Sequence, residues 1–293
     1  MINVKKLRDC TISEMLMAWN DGFEGYASSV SMSETQFLER MIKEDFSVDL
    51  SIVAFDKEKP IGIVMHGVRD INGKKVAWNG GTGVAKNYRG RGIGKHIMGE
   101  GLTLLKEAGV EIATLEVLCE NENAFSLYKK LGYSMLDTVK FLKGDCTFNP
   151  DLFPNEHQEY HVERVVPQKI RSIPFYKAMN PWQTQIDSAK NAKGIVVRDQ
   201  SSKEVGYAYY QLGVNKEGKV SNILLYQCEP HPEYKHPEEV IYFMLSEIFS
   251  GLEGNIPCVV PNLPVHQSEK TYKALEQLCF KSIADQYYMM KEL

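Results

Sequence analysis

The segment Val84-Ala85-Lys86-Asn87-Tyr88-Arg89-Gly90-Arg91-Gly92-Ile93-Gly94-Lys95 joins a strand to a helix through a turn rich in glycine and positive charge. Before it, Lys75 to Val84 reads as a strand, although Gly80, Gly81 and Gly83 predict a bulge or a close approach of other backbone. After it, Ile93, Ile97, Met98, Leu102, Leu104 and Leu105 recur at helical spacing until Gly109 stops them. The first amides of a helix have no partner within the helix, and the helix dipole favours negative charge there. Gly90, Gly92 and Gly94 leave those amides open, while Arg89, Arg91 and Lys95 add local positive charge. A pyrophosphate fits such a turn.

Two other phosphate-binding patterns fail here. The dinucleotide fingerprint needs a third glycine where Lys95 stands. The nucleoside-triphosphate loop needs a glycine where Arg89 stands and a magnesium-binding hydroxyl where His96 stands.

The run from Thr82 to Gly94 resembles the acetyl-CoA signature of the GNAT N-acetyltransferase superfamily, Q/R-x-x-G-x-G/A, which Arg89, Gly92 and Gly94 satisfy. Further on, Asn121-Glu122-Asn123-Ala124-Phe125-Ser126-Leu127-Tyr128-Lys129-Lys130-Leu131-Gly132-Tyr133 resembles the second signature of that family, N-x-x-A-x-x-L-Y-x-x-x-G-F/Y. The resemblance is specific from Val84 to Tyr133 and follows element order from Met1 to about Leu142. It implies acetyl-CoA as co-substrate, its pyrophosphate on the amides of Arg89, Gly90, Arg91, Gly92, Ile93, Gly94 and Lys95. It also implies that the Val84 backbone pairs with the pantetheine arm and that Asn121 supports that arm from the other side.

Acetyl transfer from a thioester to an amine needs a neutral amine, a stabilised oxyanion and a proton for the leaving thiolate. Tyr128 lies at the position of the family's general acid. An amide near Val84 is the candidate to polarise the thioester carbonyl. Glu116, near the end of a central strand, is a candidate base, with a water chain as the alternative. Glu24, on an early helix that the family uses to wall the acceptor site, is a second candidate base and a substrate-site residue. Trp78 and Asn79, just before the glycine pair, are candidates to line the acceptor pocket. His66 and His96 have no metal-like partners in the sequence, and no metal is expected.

Around this centre the first half reads as strand Asn3 to Leu7, helices Ser13 to Tyr26 and Ser33 to Glu44, and strands Leu50 to Phe55 and Ile61 to Val68. Beyond Gly109 come strand Ile112 to Leu118, helix Asn123 to Leu131 and strand Tyr133 to Leu142. Prolines and polar residues between Asp145 and Gln158 then break the pattern, and the expected domains are 1–147 and 148–293.

The second half repeats the order. Strand Tyr160 to Val165 is followed by helices near Gln168 to Ala178 and Trp182 to Ala192, and then by strands Gly194 to Val197, Glu204 to Leu212 and Val220 to Cys228. A helix Pro237 to Phe249, a strand Ile256 to Val260, a helix Ser268 to Leu278 and a strand Ile283 to Met290 complete it. The expected fold is α+β, with two tandem GNAT-like domains, each a mixed, mostly antiparallel sheet flanked by helices. In the second half the glycine loop is replaced by Glu229-Pro230-His231-Pro232-Glu233-Tyr234-Lys235-His236-Pro237, whose prolines lack amide donors and whose glutamates repel phosphate. Leu275 stands where Tyr128 does in the first half. The second domain is therefore expected to be a degenerate copy without the coenzyme loop.

The 293 residues suit two domains, and the composition, 43% hydrophobic and 25% charged, is that of an ordinary globular protein. A net charge of -4 argues against a nucleic-acid or anionic-membrane partner. No run is long and apolar enough to span a bilayer, and the start lacks a signal-peptide core, so a cytoplasmic location is expected. The six cysteines are scattered without a C-x-x-C pair, which fits reduced structural thiols. The expected partners are a small-molecule or peptide amine acceptor and, at most, a second copy of the chain in a homodimer. The competing class is a non-catalytic acyl-CoA-binding or sensing module.

Overall fold

The computed structural model describes residues 2–26, 31–146, 160–250, 252 and 254–293. The chain forms two compact units, Met1–Leu136 with Tyr288–Leu293, and Asp137–Tyr287. The expected boundary between 147 and 148 lies outside the described residues. Residues Tyr288–Leu293 are thus part of the first unit, although they follow the second in the sequence.

In the first unit, β1 (Ile2–Lys6), β2 (Ile52–Asp56), β3 (Lys59–Ile71) and β4 (Lys74–Val84) form an antiparallel meander, and β5 (Ile112–Leu118) joins β4 in parallel. Helices α1 (Ile12–Gly22) and α2 (Glu34–Lys43) each start on a capping box, Thr11 with Glu14 and Ser33 with Gln36, so their first amides are satisfied locally. Helix α3 (Ile93–Glu107) follows β4, and α4 (Glu122–Lys130) follows β5. Trp19, Phe37, Ile63, Ile97, Met98, Leu115 and Tyr133 are among the buried side chains.

The glycines of β4 serve both of the purposes read from the sequence. Pairing with β3 skips Gly80, which marks a bulge between Met65↔Gly81 and His66↔Asn79. A side chain at Gly81 would strike the Trp19 ring, and Gly83 and Gly22 lie backbone to backbone, with a Cβ on either one 3.0 Å from a carbonyl carbon of the other. That crossing also explains why α1 stops at Gly22, four residues short of the expected Tyr26: the helix ends where it meets β4.

The second unit orders its strands as β6 (Ser134–Cys146, mostly in this unit), β11 (Ile256–Pro264), β10 (Val220–Pro230), β9 (Glu204–Val214), β8 (Lys193–Arg198) and β7 (His161–Val165). All neighbours are antiparallel except β10 and β11, which run parallel. Helices α6 (Pro237–Phe249) and α7 (Glu269–Gln277) lie where the sequence puts them, and the last strand is β12 (Lys281–Glu292). Val240, Met244 and Ile248 of α6 pack with Val205, Leu225 and Leu275 in one core.

Two expected helices are absent as such. In place of Gln168 to Ala178 there is one turn, α5 (Pro167–Ile170), and in place of Trp182 to Ala192 a 3-10 turn at Trp182–Thr184. The apolar residues of this region, Ile170, Ile173, Ile186 and Ala189, are buried against Tyr207 and Tyr209 nonetheless, so their spacing reports burial and not a helical period. Each unit is a mixed, mostly antiparallel sheet with helices packed on it, the expected α+β class. No helix of the described residues is long and apolar enough to cross a membrane.

Candidate active site

The glycine turn is built as the sequence implies. Gly90 and Gly92 have φ of +73° and +81°, the left-handed region that side chains avoid, while a Cβ on either one would meet nothing within 4 Å. They are needed for backbone shape, not for space. Gly92 caps α3 with no side-chain hydrogen bond, and among the described residues no group accepts from the amides of Gly90 to Lys95. Arg91 and Lys95 are exposed beside them, with the Arg91 guanidinium 5.5 Å from the centre of the Tyr88 ring. Open amides on a turn with two positive-φ glycines, a helix dipole and two cations form a set of donors that suits a pyrophosphate.

Arg89 is used differently from its neighbours. Its Nε donates to the Val84 carbonyl at 2.8 Å, and Nη2 donates to the carbonyls of Gly22 at 3.0 Å and Glu24 at 2.7 Å. The guanidinium therefore ties the end of β4 to the end of α1, and its charge is met by carbonyl dipoles.

Parallel pairing of β4 with β5 runs from Val76↔Ile112 to Asn79↔Leu115. Past the bulge at Gly80 the two strands are no longer partners. Ala85 donates to Ile61 on β3 at 2.8 Å, so by alternation the peptide groups of Val84 face the side that β5 has left. A strand-like ligand arm can pair there.

Tyr128 reaches this gap from α4. Leu127, the residue before it, lies 3.7 Å from the position of a Cβ on Gly94, which brings α4 against the first turn of α3. The Tyr128 ring meets Tyr133 edge-on with centroids 5.9 Å apart, and its hydroxyl meets Thr82 of β4. Burial pushes the phenol up to about 12, Tyr26 adds to the rise, and the Thr82 bond opposes it. The group is a neutral donor throughout the neutral range. Asn121 sits where β5 turns into α4 and caps that helix, its Oδ1 accepting from the Ala124 amide at 3.1 Å.

Glu116 and Trp78 lie on the opposite face of the sheet. Trp78 is buried, stacks on Phe46 with centroids 5.7 Å apart, and donates its Nε1–H to the Glu116 carboxylate at 2.7 Å. Trp78 is thus a core residue that orients Glu116. Asn79 faces α3 and braces the bulge: Nδ2 donates to Thr82 Oγ1 at 2.8 Å and Oδ1 accepts from the Gly81 amide at 3.0 Å. Glu24 is exposed at the end of α1 and lines, with Asp21, Lys59, Lys86 and Asn87, an open pocket of about 330 Å³. The structure therefore groups the glycine turn, Val84 and Tyr128 about the gap and Glu116 with Trp78 on the other face of the sheet, with Asn79 joined to Tyr128 through Thr82 and the Glu24 carbonyl joined to Val84 through the Arg89 guanidinium.

Three further contributors are not among the residues that the sequence singles out. Thr82 links Tyr128, Asn79 and the Met98 sulfur. Arg40 of α2 donates to the carbonyl of the bulged Gly80 at 2.9 Å, its guanidinium 4.5 Å from the centre of the Trp19 ring, and burial lowers its pKa. Tyr288 is buried in the first unit and comes from beyond the second one. Only Thr82, which opens the first signature, leaves a local signal.

In the second unit the matching strand carries Glu229, which is buried and bonded to Lys177 Nζ at 2.6 Å and to Ser268 Oγ at 2.6 Å. Burial raises its pKa against the opposing pull of Lys177 and Ser268. Helix α6 opens on Pro237 with Glu238 and Glu239 in its first turn, so the donors and the sign of charge are both wrong for phosphate.

Comparison with known proteins agrees with this geometry. Residues 13–133 match the model of the acetyltransferase (GNAT) family. Over 114 residues, 36% of this chain and 73% of its relative, the sequence is 29% identical to N-alpha-acetyltransferase 30 of Schizosaccharomyces pombe. A tandem GNAT protein from the clavulanic acid biosynthesis pathway superposes on the whole chain with a TM-score of 0.62 at 12% identity, and 98% of that protein is covered. A GCN5-related glucosamine N-acetyltransferase region of a fungal multi-domain β-N-acetylglucosaminidase covers 99% of this chain with a TM-score of 0.69 at 13% identity, the match spanning 38% of that larger protein. At such identities the two structures establish shared fold. With both signatures on the elements that shape the gap and the family model lying across them, residues 13–133 form a GNAT-family domain of the acyl-CoA-dependent N-acyltransferase kind, within a chain whose fold is shared with tandem GNAT proteins.

Proposed function

We propose that the first unit transfers an acetyl group from acetyl-CoA to a primary amine of a small molecule or peptide by direct attack, with Tyr128 as general acid. The observation that carries this reading is the buried phenol of Tyr128, held against Thr82 beside the open amides that begin α3. The amides of residues 90–95 hold the pyrophosphate, and the Val84 peptide pairs with the pantetheine arm in the gap between β4 and β5. The amine nitrogen forms its bond to the thioester carbon as the carbon–sulfur bond breaks. The sulfur takes a proton from Tyr128, and the amine proton leaves through Glu116 or water on the other face. A phenol raised to about 12 gives up its proton only as charge builds on the sulfur, which suits a donor that must stay loaded between turnovers.

A thiol-release assay with acetyl-CoA and a panel of amines tests the proposal. Tyr128→Phe is expected to lower kcat by about 10²- to 10⁴-fold, with coenzyme affinity retained. Tight coenzyme binding with no turnover on any amine would replace the enzyme with an acyl-CoA sensor.

A further inference from the structure

The bulge in β4 turns a peptide group across the sheet. The Gly80 carbonyl accepts from Arg40 Nη2 at 2.9 Å, and that guanidinium lies against the Trp19 and Phe46 rings. The Gly81 N–H donates to Asn79 Oδ1 at 3.0 Å, on the side that faces α3. Both groups belong to the same planar peptide and point in opposite directions. Asn79 Nδ2 donates in turn to Thr82 Oγ1 at 2.8 Å and to Met98 Sδ at 3.2 Å. Thr82 Oγ1 meets the Tyr128 hydroxyl and lies 3.1 Å from Met98 Sδ.

The direction of each link follows from the groups themselves. A guanidinium and a backbone N–H can only donate, so the Asn79 oxygen faces Gly81 and its nitrogen faces Thr82. Thr82 therefore accepts from Asn79 and keeps its own proton for Met98 Sδ, a weak acceptor, or for the Tyr128 oxygen. Negative charge on that oxygen draws the proton away from the sulfur. The donors of Arg40, Gly81, Asn79 and Thr82 then all point toward Tyr128, and each bond polarises the next.

We propose that Arg40 and Asn79 are positioning residues for Tyr128, holding the Thr82 hydroxyl as a donor to the phenolate left when Tyr128 protonates the departing sulfur. The inference rests on the acyl-transfer reading above. In that step the Tyr128 O–H bond breaks as an S–H bond forms, while the Thr82 O–H bond only turns. Burial makes the phenolate costly, and a donor aimed at its oxygen offsets part of that cost. Tyr26 and Tyr133 are the other titratable groups set against the phenol. Neither supplies the donor: Tyr26 pushes the phenol upward, and the Tyr133 hydroxyl has no hydrogen-bond partner among the described residues.

The test uses the full chain with fluorotyrosine in place of tyrosine, followed by fluorine NMR against pH. The signal of residue 128 is identified by its loss in Tyr128→Phe, and ring fluorine acidifies the phenol so that titration begins at lower pH. Thr82→Val is expected to raise the midpoint by about one pH unit, and Arg40→Met to raise it by less. Thr82→Ser, which keeps the hydroxyl, should keep the midpoint. Lys43→Met removes a charge from the same helix outside this run of bonds and should leave the midpoint in place. Where Arg40→Met does not fold, Asn79→Leu breaks the run one link nearer and carries the same expectation. In parallel, kcat for the amine should fall about tenfold in Thr82→Val with the coenzyme KM unchanged. A midpoint unmoved in folded Arg40→Met or Asn79→Leu protein, or moved as far by Lys43→Met, overturns the proposal. So does a shifted midpoint with an unchanged kcat. Shifted midpoints in a protein that acetylates no amine support the run of bonds and reject the acyl-transfer reading alone.

Discussion

Arg89 donates through Nε to the Val84 carbonyl at 2.8 Å, so the residue that opens the glycine turn is tied to the residue that ends the strand. The same guanidinium holds the carbonyls of Gly22 and Glu24. Arg89→Met is expected to free all three and raise the acetyl-CoA KM by about tenfold or more, the equivalent of about 1.4 kcal/mol. Arg89→Lys is expected to recover only part of the loss, since an ammonium lacks the planar fork that serves separate carbonyls. Initial-rate measurements against coenzyme concentration check both variants.

Gly92 and Gly99 should respond to alanine in opposite directions. Gly92→Ala places a methyl in open space but forces a left-handed residue at a cost of about 1–2 kcal/mol, and coenzyme affinity should fall with stability. Gly99 lies inside α3, and a methyl added there would meet nothing within 4 Å, so Gly99→Ala should gain about 0.5–1 kcal/mol and leave coenzyme binding intact. Thermal melts with and without coenzyme A separate the two effects.

His66 makes the stability of the first unit depend on pH. Its Nδ1–H donates to the Leu50 carbonyl at 2.7 Å, and burial lowers its pKa to about 4 from an ordinary 6.5. Between those values the unfolded chain binds a proton that the folded chain refuses. Stability is therefore full above about 6.5 and falls by about 1.4 kcal/mol for each unit of acidification toward pH 4. Urea melts across that window should show the slope, and His66→Asn should reduce it by one proton. A Cβ on Gly101 would approach His66 Cε1 to 2.8 Å, so Gly101→Ala should cost about 1–3 kcal/mol, with part recovered when His66 is shortened to Asn.

The second unit is expected to take no coenzyme. Calorimetric titration with coenzyme A should give one site per chain, weakened by Gly92→Ala. Lys177→Met leaves the Glu229 carboxylate buried without its cation and should cost about 3–5 kcal/mol in denaturant melts, part of which Glu229→Gln restores.

Strands, most helices and the glycine turn are legible in the sequence because each leaves a local trace. Strand glycines that meet Trp19 and Gly22, glycines at positive φ and the capping residues Thr11 and Ser33 carry their reasons within a few positions of themselves. The segment from Gln168 to Ala192 misleads because apolar spacing at Ile170, Ile173, Ile186 and Ala189 arises equally from turns pressed on a sheet. Trp78 and Asn79 stand next to the bulge, as their place before the glycine pair implies, but adjacent residues on a strand face opposite sides, and no pattern in the chain says which side is open. Arg40 on α2 and Tyr288 on β12 touch the site only through long-range packing, for which one sequence holds no local sign.

The return of Tyr288–Leu293 to the first unit sets an order of events during synthesis. A ribosome makes Met1–Leu136 first and the strand beside β5 only after the whole second unit, so the nascent first unit waits with its outer edge unpaired while the intervening residues emerge. Excising the first half would remove that seal, and a protease that trims β12 would open the outer edge of β5 while leaving the glycine turn and Tyr128 uncut.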